Sequence, residues 1–202
     1  MLEIPSKLIR EATDQLSSLP GVGKKTALRL VLHLLKRSEP EIEQFSKAFT
    51  DLKRNIKNCQ RCHNLSDHEL CEICANPRRN NGVICIVETV KDVLAIESTQ
   101  QYFGTYHVLG GVISPMEGIG PNDLSIDLLI NRCENEKPNE IIFALNSSME
   151  GDTTNFYLNR KISPLGIKTS ILARGLSFGD ELEYADELTL GKSIINRTPF
   201  QG

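Results

Sequence analysis

Four cysteines that lie within sixteen residues constrain the fold of this chain more than any other feature. They form two pairs, Cys59-x2-Cys62 and Cys71-x2-Cys74, with eight residues between the pairs. A two-residue gap allows both sulfurs of a pair to bind one metal ion, and two pairs complete the tetrahedral sulfur site that zinc prefers. Four protein ligands leave no position for water or a substrate, so we predict one structural Zn²⁺ per chain.

The segment that contains this cluster, residues 58–81, has almost no apolar periodicity. We therefore expect metal binding to supply much of its folding energy. His63 and His68 are expected to be surface residues, because the four cysteines already complete the ligand set. Cys85 and Cys133, further along the chain, are expected to be small apolar core residues.

Residues 1–57 are predicted to form a helical domain. Apolar residues recur at helical spacing after Ser6, a candidate N-cap, then over 24–37 and again from Pro40. The second helix is apolar around much of its girth, so it needs partners on several sides, either neighbouring helices or another subunit. The first helix carries an apolar stripe that consists of Leu8, Ile9, Ala12 and Leu16.

A glycine-containing turn at residues 19–23 separates the first two helices. Its glycines permit positive φ and leave backbone N–H groups uncovered just before a helix N-terminus, where an anion is favoured. Lys24 and Lys25 open that helix, and Arg29 lies one turn after Lys25. The pattern predicts a helix-hairpin-helix that binds the DNA backbone without reading bases. The candidate DNA-binding residues are Gly21, Val22, Gly23, Lys24, Lys25 and Arg29.

Two alternatives apply to this turn. It could be a tight turn that carries two solvated lysines. Residues 23–26, Gly-Lys-Lys-Thr, also resemble part of a nucleotide-binding P-loop. That motif needs a glycine where this chain has Ser18, and it follows a buried strand. Because an amphipathic helix precedes the turn instead, we reject the P-loop.

The net charge of −3 does not by itself indicate a nucleic-acid-binding protein. Residues 1–81 carry 14 Lys and Arg against 10 Asp and Glu, whereas residues 82–202 carry 9 against 16. Binding to DNA must therefore depend on a local patch of basic residues and on several copies of the chain acting together.

The location of the protein is also constrained by composition. No apolar run is long enough to span a bilayer, and the N-terminal residues lack the apolar core of a signal peptide. A reducing compartment argues against disulfides and favours metal ligation for the cysteine cluster. We expect a cytoplasmic protein without membrane contact.

From Gly82 onward, predicted strands alternate with predicted helices. The residues Val83–Val87 form a continuous apolar run that is typical of a strand buried on both faces. Alternation of this kind predicts a mostly parallel sheet with helices on its faces. The further strands are predicted at 106–109, 141–145 and 167–173, and the helices near 93–96, 124–133 and 153–158.

Polar residues follow two of these strands. Glu88 comes directly after the first strand, and the segment 146–151 follows the strand at 141–145. The arrangement resembles the Toprim fold of topoisomerases and primases, in which a strand-end glutamate and a later Asp-x-Asp pair bind Mg²⁺. Glu88 matches the glutamate, and Glu150-Gly151 match the Glu-Gly that follows the pair. Asn146 and Ser148 stand where the aspartates would be.

Replacing two carboxylates by neutral groups removes two charges from a Mg²⁺ site. Glu88 and Glu150 alone would form a weak site, and no tyrosine is placed by spacing as a strand-transfer nucleophile. We therefore predict that the chain is not an enzyme. The alternative is a Mg²⁺-dependent nuclease or topoisomerase that uses these two acids. The acids at this edge, Glu88, Glu150 and Asp152, could instead form a surface for docking another protein.

The order of helical hairpin, four-cysteine knuckle and degenerate Toprim sheet resembles the RecR family of bacterial recombination proteins along essentially the whole chain. The supporting stretches are 19–23, 74–79, 86–88, 118–121, 173–176 and 182–186. The resemblance implies an α+β multidomain fold. Its parts are a helix-hairpin-helix region at 1–57, a four-cysteine zinc finger at 58–81, a Toprim-like α/β sheet at 82–177 and a short C-terminal helical oligomerisation segment at 178–202.

The resemblance also implies a function. Members of the family are non-catalytic, DNA-binding mediators of recombinational repair in the cytoplasm, associated with the nucleoid. They act with RecO and RecF to load RecA onto gapped DNA that is coated with single-strand-binding protein. Glu88, Glu150 and Asp152 are the candidate RecO-docking residues.

The family's quaternary structure bears on the weak overall charge of the chain. Its members form ring-shaped homotetramers through their terminal regions, and a ring would multiply the modest attraction of each hairpin for DNA. The second helix and a seam of Phe45 and Phe49 are candidate subunit contacts. An adaptor that binds proteins but not DNA is a further alternative, although it leaves the basic hairpin unexplained.

Overall fold

The computed structural model describes residues 6–173, 175–176, 179 and 181–199. The chain divides into two units, residues 1–56 and residues 57–202. One member of the 173–176 stretch, Arg174, lies outside the described residues. None of the described helices combines the length and the apolar character that a membrane span requires.

The first unit contains three helices, α1 (Lys7–Ser17), α2 (Lys24–Leu34) and α3 (Glu39–Asn55). Ser6 caps α1 as predicted, because its side chain accepts the Ile9 N–H at 3.4 Å. A capping box begins α3, where the Ser38 N–H donates to the Glu41 carboxylate at 2.8 Å. Local capping therefore sets the start of two helices.

Burial in this unit differs from the stripe that helical periodicity predicts. Helices α1 and α2 pack on each other and bury Thr13, Ala27 and Val31. Leu8, which was predicted to lie on the apolar stripe of α1, is 76% exposed. One partner covers one face of a helix, so the remaining apolar side chains stay accessible. The exposed large apolar residues of α2 and α3 are Leu30, Leu32, Phe45, Phe49 and Leu52.

The second unit begins with a small zinc module, which we define as residues 58–81. Strand β1 (Lys57–Asn58) leads into it and pairs antiparallel with β2 (Leu65–Ser66). A one-turn helix, α4 (Glu72–Ala75), follows. The apolar cluster here consists of the four cysteines with Ile73 packed against them, so there is almost no hydrocarbon core.

A four-stranded parallel sheet forms the rest of this unit, in the order β4-β3-β5-β6. The strands are β3 (Val83–Val87), β4 (Thr105–Val108), β5 (Glu140–Ala144) and β6 (Lys168–Ile171). Helices α5 (Val90–Ser98), α6 (Ile126–Glu136) and α7 (Met149–Ile162) connect them, and α8 (Glu187–Ile195) follows the sheet. The α+β fold is as predicted, and β6 is shorter than the predicted strand at 167–173.

Both faces of the sheet are covered. Ile84 and Ile86 belong to one buried cluster, whereas Cys85 and Val87 belong to another, as alternation along β3 requires. Cys133 is buried in the first cluster, so both isolated cysteines are core residues as predicted. A strand that is buried on both sides needs a continuous apolar run, which is why β3 was recognisable.

His107 on β4 is fully buried, although its side chain is polar. Its Nε2 lies 2.9 Å from the Ser125 carbonyl oxygen and 3.0 Å from the Ser125 Oγ. Burial lowers the pKa of His107 to about 3, so the ring is neutral at physiological pH.

Candidate zinc centre and DNA-binding surface

The four cysteine sulfurs come together between three short elements. Cys59 and Cys62 lie in the turn between β1 and β2, Cys71 is the N-cap of α4, and Cys74 lies within α4. All four side chains are buried, and their sulfurs lie within 4.8 Å of one another. Zinc–sulfur bonds of about 2.3 Å in a tetrahedron require sulfur separations of about 3.8 Å. The donor set and its spacing therefore fit Zn²⁺.

The electrostatics of the sulfurs also favour a cation. Sulfur atoms of Cys62 and Cys71 are 3.5 Å apart, and the Cys71 N–H donates to the Cys59 sulfur at 3.3 Å. Hydrogen bonding between the two thiols raises the pKa of Cys62 and lowers the pKa of Cys71. Four buried thiols cannot all ionise without compensation, and a divalent cation supplies it when the protons leave.

The two histidines of the zinc module are not part of the cluster. His63 Nε2 lies 3.0 Å from the Asn58 side-chain nitrogen, and His68 is exposed. Among the described residues, the four cysteines are the one group of histidine, cysteine and acidic side chains with metal-binding spacing. The acids Glu88, Glu150 and Asp152 do not gather in this way.

The predicted hairpin joins α1 to α2 through a tight turn. Gly21 has φ of +79°, and the Val22 N–H donates to the Leu19 carbonyl at 3.1 Å. Gly23 is the N-cap of α2 and, unlike Gly21, has an extended backbone with φ of −75°. No side chain caps α2, and a Cβ at Gly23 would meet no atom within 4 Å. The first amides of α2 are therefore open to an external acceptor.

Three basic side chains lie in the first two turns of this helix. Lys24, Lys25 and Arg29 are exposed, and none of them forms an ion pair with another described residue. The helix dipole disfavours cations at an N-terminus, and α2 has no acid in its first turn. A bound phosphate would accept hydrogen bonds from the free amides, and its negative charge would offset the unfavourable interaction of the cations with the helix dipole.

The carboxyl edge of the sheet brings Glu88 and Asn146 together. Strands β3 and β5 are parallel neighbours, and the Asn146 side-chain amide donates to the Glu88 carboxylate at 2.7 Å. Ser148 caps α7 by accepting the Gly151 N–H at 3.0 Å. A Cβ at Gly151 would collide with the Asn146 carbonyl oxygen, so only glycine fits there. The residues at both aspartate positions thus have hydrogen-bond partners within the protein.

Glu150 and Asp152 lie in the first turn of α7. Asp152 is exposed and Glu150 is partly buried. Acids at a helix N-terminus are favoured by the dipole, so their presence there does not require a metal.

Ion pairs between distant segments were not predicted from the sequence. Arg79 donates to both carboxylate oxygens of Glu97, at 2.9 and 2.6 Å, and the Tyr106 hydroxyl donates to the same carboxylate. The hydrogen bond from Arg79 holds the pKa of Glu97 below its usual range. A second pair joins Arg61 to Glu136 at 2.7 Å. Pairs this far apart in the chain leave no periodic signal that could have revealed them.

Fold and sites together define a multidomain zinc protein with a helical hairpin and a Toprim-like sheet. Comparison with known proteins agrees in chain order. Family models match for the RecR helix-hairpin-helix at 9–53, the RecR four-cysteine zinc finger domain at 56–76, the Toprim domain at 82–173 and the RecR C-terminal region at 175–198.

Relatives that match along nearly the whole chain show which family it belongs to. The recombination protein RecR of Bacteroides fragilis is 56% identical over 200 residues, which cover 99% of this chain and 98% of its own. That of Porphyromonas gingivalis is 56% identical over 196 residues, with 97% and 95% coverage. That of Cytophaga hutchinsonii is 54% identical over 201 residues, with 99% and 98% coverage. The chain belongs to the RecR family, and its four-cysteine cluster is a zinc site.

We expect the purified chain to contain one zinc ion per molecule, measured by elemental mass spectrometry. Replacing one cysteine of each pair, Cys62→Ser with Cys71→Ser, removes two ligands and should leave zinc substoichiometric. Because the zinc module has little apolar core, the melting temperature should also fall by roughly 10 °C. Cys133→Ala, which removes a buried thiol outside the cluster, should retain full zinc. Full zinc content in the double variant would contradict this assignment.

Proposed function

We propose that this chain is a non-catalytic, DNA-binding mediator of recombinational DNA repair. Its relatives are named recombination proteins, which supports the general role. The observation that carries the proposal is the open N-terminus of α2, where uncapped amides lie beside the exposed cations of Lys24, Lys25 and Arg29. These groups recognise a phosphate, which every nucleotide of DNA presents.

Binding through these groups is independent of base sequence. Backbone amides and ammonium or guanidinium groups contact phosphate oxygens, and no side chain of the turn is suited to read a base edge. Attraction of this kind releases counterions, so it weakens as salt concentration rises. We propose that Gly21, Val22 and Gly23 shape the turn and that the three cations supply the charge.

Lys25→Ala and Arg29→Ala should each weaken DNA binding about two- to fivefold, since each removes an exposed charge contact. The loss should be the same for unrelated sequences, and each substitution should lower the salt slope by about 1. Fluorescence anisotropy at several salt concentrations measures both quantities. Lys7→Ala is the matched control, because that exposed lysine of the same unit pairs with Glu11 at 3.7 Å. Unchanged affinity in both variants would exclude the hairpin as the DNA site.

The carboxyl edge of the sheet supports the non-catalytic part of the proposal. In the Toprim arrangement, carboxylates at the positions of Asn146 and Ser148 would share Mg²⁺ with a strand-end glutamate. Here the Asn146 amide donates to Glu88, and the Ser148 hydroxyl caps α7. Two neutral groups supply no charge to hold Mg²⁺ against water. The opposing candidate, a Mg²⁺-dependent nuclease or topoisomerase, would have to act through Glu88 and Glu150 alone.

We propose that the acidic edge, which consists of Glu88, Glu150 and Asp152, docks RecO. Exposed Asp152 and partly buried Glu150, in the first turn of α7, offer negative charge to a basic partner, and complementary charge mainly sets partner choice and association rate. RecF would act in the same pathway, with RecA loaded onto gapped DNA as the result.

One set of measurements separates docking from catalysis at this edge. Glu150→Lys and Asp152→Lys should weaken RecO binding about tenfold or more, because each reverses a charge at the interface. Glu134→Lys, an exposed acid on α6, is the matched control and should bind RecO normally. Supercoiled and single-stranded DNA should remain intact with Mg²⁺. Cleavage that disappears in Glu88→Ala would instead establish the enzyme.

We propose further that the chain works as a homotetrameric ring. Each unit of the chain exposes large apolar side chains, and their contact with water is unfavourable. These residues are Phe45, Phe49 and Leu52 on α3, and Leu188, Ile194 and Ile195 on α8. Two such faces on one chain allow each copy to contact two neighbours, which is the requirement for closing a ring.

Light scattering should give the mass of four chains for the wild type. Phe49→Glu places a charge on the apolar face of α3, where Phe49 is 59% exposed, and should reduce the assembly to smaller species. Lys47→Glu changes the net charge by −2 instead of −1, but at a polar position of α3, and should leave the mass unchanged. A strictly monomeric wild-type protein would contradict the ring.

A further inference from the structure

Arg61 lies inside the first cysteine pair and reaches out of the zinc module. Its Nε and Nη2 donate to the two carboxylate oxygens of Glu136 on α6, at 2.7 and 2.9 Å. Its Nη1 donates to the Cys74 carbonyl at 3.4 Å, and Nη2 also donates to the Asn80 side chain at 3.1 Å. One guanidinium thus joins the two cysteine pairs to each other and to a helix of the sheet domain.

The contact continues from Glu136 into the sheet. Arg132, one turn earlier on α6, donates from Nε to the Glu136 carboxylate at 3.1 Å. Its other nitrogens donate to the Tyr106 carbonyl at 2.7 Å and to the Thr105 hydroxyl at 2.8 Å. Both acceptors are on β4, and the Arg132 side chain is only 4% exposed. The chain of polar contacts therefore runs from the zinc module through α6 to the edge strand of the sheet.

A backbone hydrogen bond closes this chain of contacts into a loop. The Val108 N–H of β4 donates to the Cys62 carbonyl at 2.8 Å. Strand β4 is at the edge of the sheet, paired on its other side with β3. Cys62 follows Arg61 directly in the chain, so the two routes from the zinc module to β4 start at adjacent residues. Both routes therefore hold the same part of the zinc module next to β4.

The net charge of this network is opposite in sign to the charge of the zinc site beside it. Four thiolates around Zn²⁺ carry a net charge of −2, whereas Arg61, Arg132 and Glu136 together carry +1. Burial raises the pKa of Glu136, but hydrogen bonds from Arg61 and Arg132 outweigh that effect and hold the pKa below its usual value. Arg61 forms two hydrogen bonds with Glu136 and Arg132 forms one, and partly buried pairs that are joined in this way are stronger than exposed ion pairs.

We infer that Arg61 is the positioning residue of the zinc site, and that it couples zinc binding to the order of α6 and β4 through Glu136 and Arg132. Groups that do not touch a metal but orient its ligands typically change metal affinity 10- to 100-fold, roughly, when removed. Coupling between two parts of a protein is reciprocal, so zinc should stabilise α6 as much as α6 stabilises the zinc site.

Zinc affinity of the full chain, measured by competition with a chromophoric chelator, tests this inference. Arg61→Ala should weaken affinity about tenfold or more, and Glu136→Gln should weaken it several-fold although Glu136 touches no cysteine side chain. Arg61→Lys keeps the charge but loses the planar fork, so it should also bind zinc more weakly than the wild type. Arg78→Ala, which removes an exposed arginine from the same module, should bind within about twofold of the wild type.

The variants separate positioning from simple charge. Wild-type affinity in Arg61→Lys would show that only the positive charge matters, and wild-type affinity in Glu136→Gln would show that α6 plays no part. Either result would overturn the inference.

Hydrogen exchange on the wild-type protein tests the reverse direction without any substitution. Removing zinc with a chelator should accelerate exchange in the last turn of α6 as well as in the zinc module. Acceleration confined to residues 58–81 would refute the coupling. In Glu136→Gln, zinc removal should change exchange in α6 much less than in the wild type, because the link is already broken.

Discussion

In the zinc module, at the start of the second unit, four cysteine side chains take the place of a hydrophobic core. Ile73 is the one side chain beyond the cysteines in this cluster of described residues, so burial of hydrocarbon contributes little there. The metal must supply the folding free energy that apolar contacts supply elsewhere. The sheet depends on this segment in turn, since the Cys62 carbonyl accepts the Val108 N–H of its edge strand. An edge strand with free hydrogen-bonding groups invites pairing with other chains, and the zinc module occupies part of that edge.

The carboxyl edge of the sheet keeps the Toprim arrangement of strands with neutral side chains at the two aspartate positions. Parallel pairing of β3 and β5 brings the residues after these strands together whatever their identity. With an amide at position 146, the same juxtaposition gives a hydrogen bond to Glu88 instead of a shared metal. Gly151 is still required, because its Cβ position is occupied by the Asn146 carbonyl. The fold thus constrains its backbone here in the same way whether the neighbouring side chains are charged or neutral.

Features with a short-range signature could be predicted from the sequence, and features that depend on distant partners could not. Strand β3 was recognisable because burial on both faces demands a continuous apolar run, and the zinc ligands were recognisable by their spacing. Periodicity placed Leu8 on an apolar stripe but carries no information about which face a partner covers, and Leu8 is exposed. Arg61 and Glu136 are 75 residues apart, and nothing local marks either of them as half of an ion pair.

The net charge of −3 and the exposed apolar faces of α3 and α8 both favour a function that needs several copies of the chain. In the proposed function, the three cations of one hairpin would neutralise about three phosphates, which corresponds to a salt slope of about −2.7. At physiological salt, so few contacts would leave a single copy weakly bound. Several hairpins held on one assembly bind as a unit, because each contact after the first is intramolecular. In the proposed ring, the exposed apolar side chains of α3 and α8 would hold the copies together, so loss of assembly would also weaken DNA binding.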